Sequence, residues 1–93
     1  MEVKFTLYSM DICNPCQEFK KNTRRIIEKI GILGYEWEEK KLSPAEATKI
    51  GGVPQLWLNN MKIIDGNPPE NIIKRNILMG LKIIFMGEAR KST

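Results

Sequence analysis

Between residues 7 and 16 the hydrophobic period of this chain changes. Upstream, Val3, Phe5 and Leu7 alternate with Glu2, Lys4 and Thr6, the period of a strand with one buried face, here over residues 2–8. Downstream, Cys16, Phe19, Thr23, Ile26, Ile27, Ile30 and Leu33 recur at three- and four-residue steps, with Glu18, Lys20, Lys21, Arg24, Arg25, Glu28 and Lys29 filling the other side. That is an amphipathic helix, ending near Gly31 or Gly34. The junction is Cys13-Asn14-Pro15-Cys16, which holds both cysteines of the chain. Asn14, Pro15 and Gln17 supply helix-start chemistry: a capping side chain, a preset φ and an amide at the third helical position. The apolar stripe passes through Cys16 and misses Cys13, so the second thiol faces the core and the first sits at the helix tip, within reach of solvent.

Two thiols three residues apart at a helix entrance can cycle between dithiol and disulfide. A thiol with an unperturbed pKa of about 8.5 is only ~3% ionised at pH 7, whereas one near 6 is ~90% thiolate. Unpaired N–H groups and the positive end of the helix dipole favour the anion. Cys13 is therefore the expected nucleophile and Cys16 the thiol that resolves the mixed disulfide. Asn14 and Pro15 tune the redox potential and stiffen the helix start, while Asp11 acts against them, since a nearby carboxylate disfavours a thiolate. Two other readings of the pair stand beside this one. The cysteines can be buried and inert, or they can be half of a zinc site, which would need a second copy because the chain offers two thiols and no histidine.

The remaining elements follow in order. Tyr35, Trp37 and Glu39 alternate with Glu36, Glu38 and Lys40, predicting a strand over 35–40 with two aromatic anchors. Ser43-Pro44-Ala45-Glu46 matches a capping box and opens a short helix, Pro44 to Lys49, closed by Gly51-Gly52. Gln55–Leu58 and Met61–Asp65 flank Asn59-Asn60, a pair that tolerates the positive φ of a hairpin turn. Asn67, Pro68 or Pro69, and Glu70 open a third helix with Ile73, Ile77, Leu81 and Ile84 on its apolar side, where Gly80 either ends the helix or weakens it. The polar tail over 87–93 is expected to fray. A crossover helix makes the first two strands parallel, and the last two form a hairpin. The expected fold is α/β, in the order β-α-β-α-β-β-α, with a four-stranded mixed sheet and helices on both faces.

Composition narrows the function. With no histidine, a general acid or base here must be a carboxylate, a lysine, a thiol or water. The net charge of +4 over 93 residues resides mostly on the first and third helices, where lysines interleaved with glutamates read as a solvated face. One domain over 1–93, monomeric and with one modest core, is what this length allows. Met1 to Leu7 does not read as a signal peptide, and Ile77–Met86 is too short and too interrupted to span a bilayer. The expected compartment is the cytoplasm, where a close Cys pair is catalytic or metal-binding more often than structural.

Three features together resemble the glutaredoxin and thioredoxin superfamily: Tyr8-Ser9 after the first strand, Cys13-Asn14-Pro15-Cys16 opening a helix, and Gly52-Val53-Pro54-Gln55 before the hairpin. The likeness in element order covers residues 2 to 80. It implies a thioredoxin-like fold, in which Pro54 is cis beside the Cys pair, Val53 offers its backbone to an extended peptide or glutathione, and Tyr8 contributes to the substrate site. Glutaredoxins commonly carry a lysine shortly before the first Cys and a Gly-Gly-acidic segment before the last helix. Here those places hold Met10-Asp11 and Ile64-Asp65-Gly66-Asn67-Pro68. Gly66 and Asn67 would then bind a carboxylate through N–H groups, and Lys49 is a candidate for the glycyl carboxylate of glutathione. Lys20, Lys21, Arg24 and Arg25 are placed to steer an acidic partner.

The activity so implied is that of a dithiol-disulfide oxidoreductase with no bound cofactor, acting on protein or glutathione mixed disulfides. Glutathione or a thioredoxin reductase would supply electrons, and a ribonucleotide reductase is one acceptor the resemblance suggests. The rival readings are a glutathione-dependent dimer bridging an iron-sulfur cluster through Cys13 and a non-catalytic adaptor that uses the basic helices on the same fold. Neither nucleic acid nor membrane is an expected partner of the oxidoreductase.

Overall fold

The alternating start of the chain forms the strand β1 (Lys4–Ser9), and the three- to four-residue stripe forms the helix α1 (Asn14–Ile30). The computed structural model describes residues 2–91, with side chains through residue 87. β2 (Glu36–Lys41), α2 (Pro44–Lys49), β3 (Gln55–Leu58), β4 (Met61–Asp65) and α3 (Glu70–Lys91) follow, in the expected order. The strands make one four-stranded sheet ordered β2-β1-β3-β4. β1 runs parallel to β2 and antiparallel to β3, and β3 and β4 form the hairpin, with a register shift between Leu56 and Trp57.

Register assigns the faces. Phe5 lies opposite Trp37 and Leu58, and Leu7 lies opposite Leu56, which in turn faces Ile64. Directly opposed residues share a face. These side chains form one buried cluster with Phe19, Ile26 and Ile27 of α1 and Ile73, Ile77 and Leu81 of α3, so α1 and α3 cover this side together. The other side is thinly covered. It reaches the end of α2 through Gln55, whose Nε2 donates to the carbonyl of Ile50, the C-cap of α2, while Thr6, Tyr8 and Trp57 line an open hollow of about 510 Å³ there.

Local chemistry explains most of the boundaries. Ser43 and Glu46 form the reciprocal capping box at α2, with Pro44 in the first turn. Asn59 takes φ 54° in the β3–β4 turn, and its side chain accepts from Lys4 N–H at 2.9 Å and donates to the Glu2 carbonyl at 3.2 Å. The turn is thereby pinned to the start of β1. Gly31, at φ 84°, ends α1 and directs its N–H to the Ile27 and Glu28 carbonyls, the left-handed stop that glycine permits.

Four expectations are corrected. Leu33 leaves the α1 stripe, because the helix has already stopped at Gly31, and its side chain is 90% exposed. Gly80 does not end α3, which runs on past it, so only the weaker of its two readings stands; it is buried, and a Cβ there would come within 3.0 Å of Leu58 Cδ2 and 3.1 Å of Ile63 Cγ2. The missing side chain lets the helix approach the hairpin. α3 also continues through Gly87 to Lys91 instead of fraying from residue 87, whereas Ser92 and Thr93 of that tail lie outside the described residues. Finally, α3 starts at Glu70, so Gly66 and Asn67 belong to the preceding loop and not to a helix N-terminus.

Candidate active site

The carboxyl ends of the parallel strands β1 and β2 and the amino end of α1 meet at the Cys pair. Cys13 and Cys16 are joined by a disulfide, with their Cα atoms 5.2 Å apart. The helix cap is Cys13 itself and not Asn14: Cys13 has extended backbone, its Sγ accepts from the Cys16 N–H at 3.2 Å, and Asn14 and Pro15 occupy the first two helical positions. A sulfur can play this part because a cap needs only an acceptor aimed at the free N–H groups of the first turn. Cys16 is 1% exposed and Cys13 half-buried, the inequality expected from the stripe. On reduction the same N–H would face a negative sulfur, a charge-assisted hydrogen bond stronger than a neutral one.

A second element lies beside the end of β1, where Gln55 pairs with Tyr8. The Val53–Pro54 peptide bond is cis, as the resemblance implies, and Val53 precedes β3, outside the sheet's ladder. Buried Gln55 holds this segment from one side: its Nε2 donates to the Ile50 and Gly52 carbonyls at 2.6 and 2.9 Å, while its Oε1 accepts from Trp57 Nε1 at 3.0 Å. From the other side, the Gly66 N–H donates to the Pro54 carbonyl at 2.9 Å. Gly66 therefore braces the proline loop, and its N–H is committed there instead of being offered to a carboxylate.

Beneath α1, Glu39 accepts from buried Ser9 Oγ at 2.8 Å and from Lys20 Nζ at 2.7 Å. Lys20 lies one turn beyond Cys16, so this network ties the ends of β1 and β2 to the helix that carries the thiols. The Lys20 hydrogen bond, aided by Ser9, holds the Glu39 carboxyl below the usual range against the opposing effect of burial. A depressed folded pKa contributes stability that is in place above the unfolded value, about pH 4.3, and is lost as the pH falls through the lower folded value. Glu39→Gln should flatten the acid limb of stability, read as a smaller shift of the urea midpoint between about pH 5 and about pH 3. Glu38, hydrogen-bonded to Lys4, and Glu46, in the Ser43 cap, are shifted the same way and keep their share. An unaltered acid limb in Glu39→Gln would show that the network stabilises nothing.

The other sequence-predicted positions disperse. Asp11 is exposed and pairs with Lys41 Nζ at 3.5 Å, so a cation from the end of β2 offsets the carboxylate expected to oppose the Cys13 thiolate. Tyr8 points to the thinly covered face, edge-on to Trp57 with centroids 6.1 Å apart and with Lys40 Nζ 5.9 Å from its ring. It therefore braces that face and does not project from the side that carries α1. Of the four α1 cations expected to steer an acidic partner, three are engaged within the protein: Lys20 by Glu39, Arg25 by Glu70, and Arg24 over the Trp37 ring at 4.8 Å.

Sequence reasoning passed over Ile12, Lys41 and Gln55. Ile12 directly precedes Cys13 and is 95% exposed; an isoleucine in a loop of polar neighbours was the available signal. Lys41 follows from topology, because parallel pairing brings the end of β2 beside the end of β1. Gln55 stood in the Gly52-Val53-Pro54-Gln55 segment, but nothing there beyond a polar residue at the head of an apolar strand pointed to its bracing role.

No family model matches the sequence, and a search of curated proteins finds no relative. Solved structures do match. A mutant thioredoxin from Halobacterium salinarum NRC-1 superposes with a TM-score of 0.50 at 22% identity, over 80% of this chain and 70% of that one. Glutaredoxin 1 from Francisella tularensis gives a TM-score of 0.48 at 17% identity, over 86% of this chain and 98% of that one. Among the described residues, no group of three or more acidic or cysteine side chains is placed to hold a metal ion, and no helix is long and apolar enough to cross a membrane. The likeness to thioredoxin, taken with the β2-β1-β3-β4 order and the helices on both sides of the sheet, gives this chain a thioredoxin-like fold.

Proposed function

We propose that the chain is a dithiol-disulfide oxidoreductase whose preferred substrates are protein disulfides. The observation that carries this reading is the inequality of the two bonded sulfurs: one is reachable and receives a backbone N–H, and the other is buried one turn below it. In the reduced protein the Cys13 thiolate attacks one substrate sulfur, forming a mixed disulfide and releasing the other sulfur as a thiolate that takes up a proton. Cys16 then loses its proton and attacks Cys13. This closes the intramolecular disulfide and releases the second substrate thiol, so two electrons have passed to the substrate.

Regeneration requires two electrons from glutathione, as co-substrate, or from a thioredoxin reductase. A ribonucleotide reductase is a fitting acceptor by class, and a reducing compartment such as the cytoplasm is where the cycle would run. Val53, beside Pro54, would present its backbone to an extended substrate segment. Exposed Ile12 would meet an apolar residue flanking the substrate cysteine. Asp11 is held by Lys41, and the Gly66 N–H by Pro54. Of the three residues expected to receive a carboxylate of glutathione, that leaves Asn67 and Lys49, one backbone contact fewer than expected, which weighs toward protein substrates.

The test runs two reductions in parallel, a protein disulfide and a glutathione mixed disulfide, each with either glutathione reductase and glutathione or thioredoxin reductase as the electron source. The expected result is a higher kcat/KM for the protein disulfide. Comparable or better turnover of the glutathione mixed disulfide would overturn the substrate preference. Inactivity toward both, with both thiols titratable after reduction, would overturn the oxidoreductase itself.

A further inference from the structure

Between Ile77 and Met86, α3 is apolar on all sides but for Lys82. Ile77, Gly80, Leu81 and Ile84 turn toward the sheet and α1, while Leu78, Met79, Ile83, Phe85 and Met86 lie on the solvent side, each between 43% and 56% exposed. At 100° per residue these five span one continuous face, interrupted by Lys82. Apolar residues all round a helix mark one that is covered on both sides. Beside this face, the end of α1 contributes the 90% exposed Leu33, and a hollow of about 740 Å³ opens between the two helices, lined by Val3, Ile30, Ile32, Leu78, Leu81 and Phe85 among others.

We infer that this face is the interface of a symmetric dimer of the chain, in place of the monomer expected from the sequence. Half-exposed side chains of this size leave on the order of 100 Å² each, so with Leu33 the patch amounts to roughly 600 Å². That reaches the upper end of what monomers leave contiguous and approaches the about 800 Å² per partner of a standard interface. A two-fold interface must be self-complementary; Leu33 and Phe85 line the hollow yet stay 90% and 55% exposed, so each copy offers the other both a hollow and apolar side chains at its rim. The hollow also favours a second copy over a bilayer, whose plane cannot fill a concave surface. Among the described residues that line the hollow, Lys82 carries the one charge, and its four-carbon stem can pack across the apolar face while the ammonium stays in water. The patch lies at the far end of α1 from Cys13, about 25 Å away at 1.5 Å per helical residue, so a dimer formed here leaves both disulfides open to substrate.

The experiment is sedimentation equilibrium of the full chain from micromolar to millimolar concentration, with Phe85→Glu, Leu33→Glu and, as a control on the exposed side of α1, Lys21→Glu. Far-ultraviolet circular dichroism verifies that each variant is folded. The expected result is a reversible wild-type dimer, weakened about tenfold or more in both patch variants and unchanged in Lys21→Glu, with disulfide reduction by Phe85→Glu equal to wild type. A wild-type monomer throughout overturns the inference, as does association that both patch variants retain. Cosedimentation of a monomeric protein with vesicles of anionic phospholipid overturns it in favour of a membrane surface. Activity is read separately, so loss of the dimer and loss of the oxidoreductase are distinguishable.

Discussion

Cys13→Ser is expected to lower disulfide reduction by on the order of 10³-fold or more, whereas Cys16→Ser should accumulate a stable mixed disulfide with the substrate. The difference follows from position. Cys13 is the half-buried cap of α1, where its sulfur accepts the Cys16 N–H at 3.2 Å, and Cys16 is 1% exposed. A serine hydroxyl at residue 13 can still cap the helix but cannot form a disulfide, so fold and activity separate cleanly. Without Cys16 the first attack proceeds and the second does not. Mass spectrometry of Cys16→Ser incubated with a protein disulfide should show one substrate chain joined through Cys13. In the reduced wild type, iodoacetamide should label Cys13 well before Cys16. Equal labelling, or full activity in Cys13→Ser, would remove Cys13 from the role of nucleophile.

The parts of this fold legible in the sequence are those fixed by local periodicity or turn chemistry. The Val3-Phe5-Leu7 alternation, the stripe from Cys16 to Ile30, the Ser43 capping box and the Asn59 turn each depend on residues close together in the chain, and each forms as expected. What failed did so where tertiary context decides. Asn14 is a better cap by residue type than cysteine, but the strand-to-helix geometry puts Cys13 at the capping position. Gly80 carries the propensity of a helix breaker, and only the hairpin packed against it explains its place in mid-helix. At the site, the unequal burial of the thiols was readable because one helix carries both. The Lys41–Asp11 pair and the Ser9–Glu39–Lys20 network join residues far apart in sequence, and no spacing rule could have found them; the Gln55 bracket is local, within five residues, but follows no capping or turn pattern.

Phe5→Ala should bring the chain close to global unfolding at ambient temperature. Phe5 is fully buried in the strand that joins the two halves of the sheet, opposite Trp37 on one side and Leu58 on the other. Its ring meets Tyr35 edge-on with centroids 5.7 Å apart and Trp37 at 6.4 Å. Truncating a buried Phe removes its transfer free energy and leaves a cavity, together costing about 3–5 kcal/mol, against a total stability of about 5–15 kcal/mol for a typical domain. For a chain of this length the melting temperature should fall by roughly 15–30 °C. Two comparisons isolate the cause. Phe5→Leu keeps most of the volume and should cost less than about 1.5 kcal/mol. Phe85→Ala removes the same atoms from a side chain that is 55% exposed, and in dilute solution, below the dimer range, it should move the melting temperature only a little. If Phe5→Ala melted within a few degrees of wild type, β1 would not be the strand on which the core is built. The Ser9–Cys13 segment that extends from its end would then owe its position to something other than the packing beneath it.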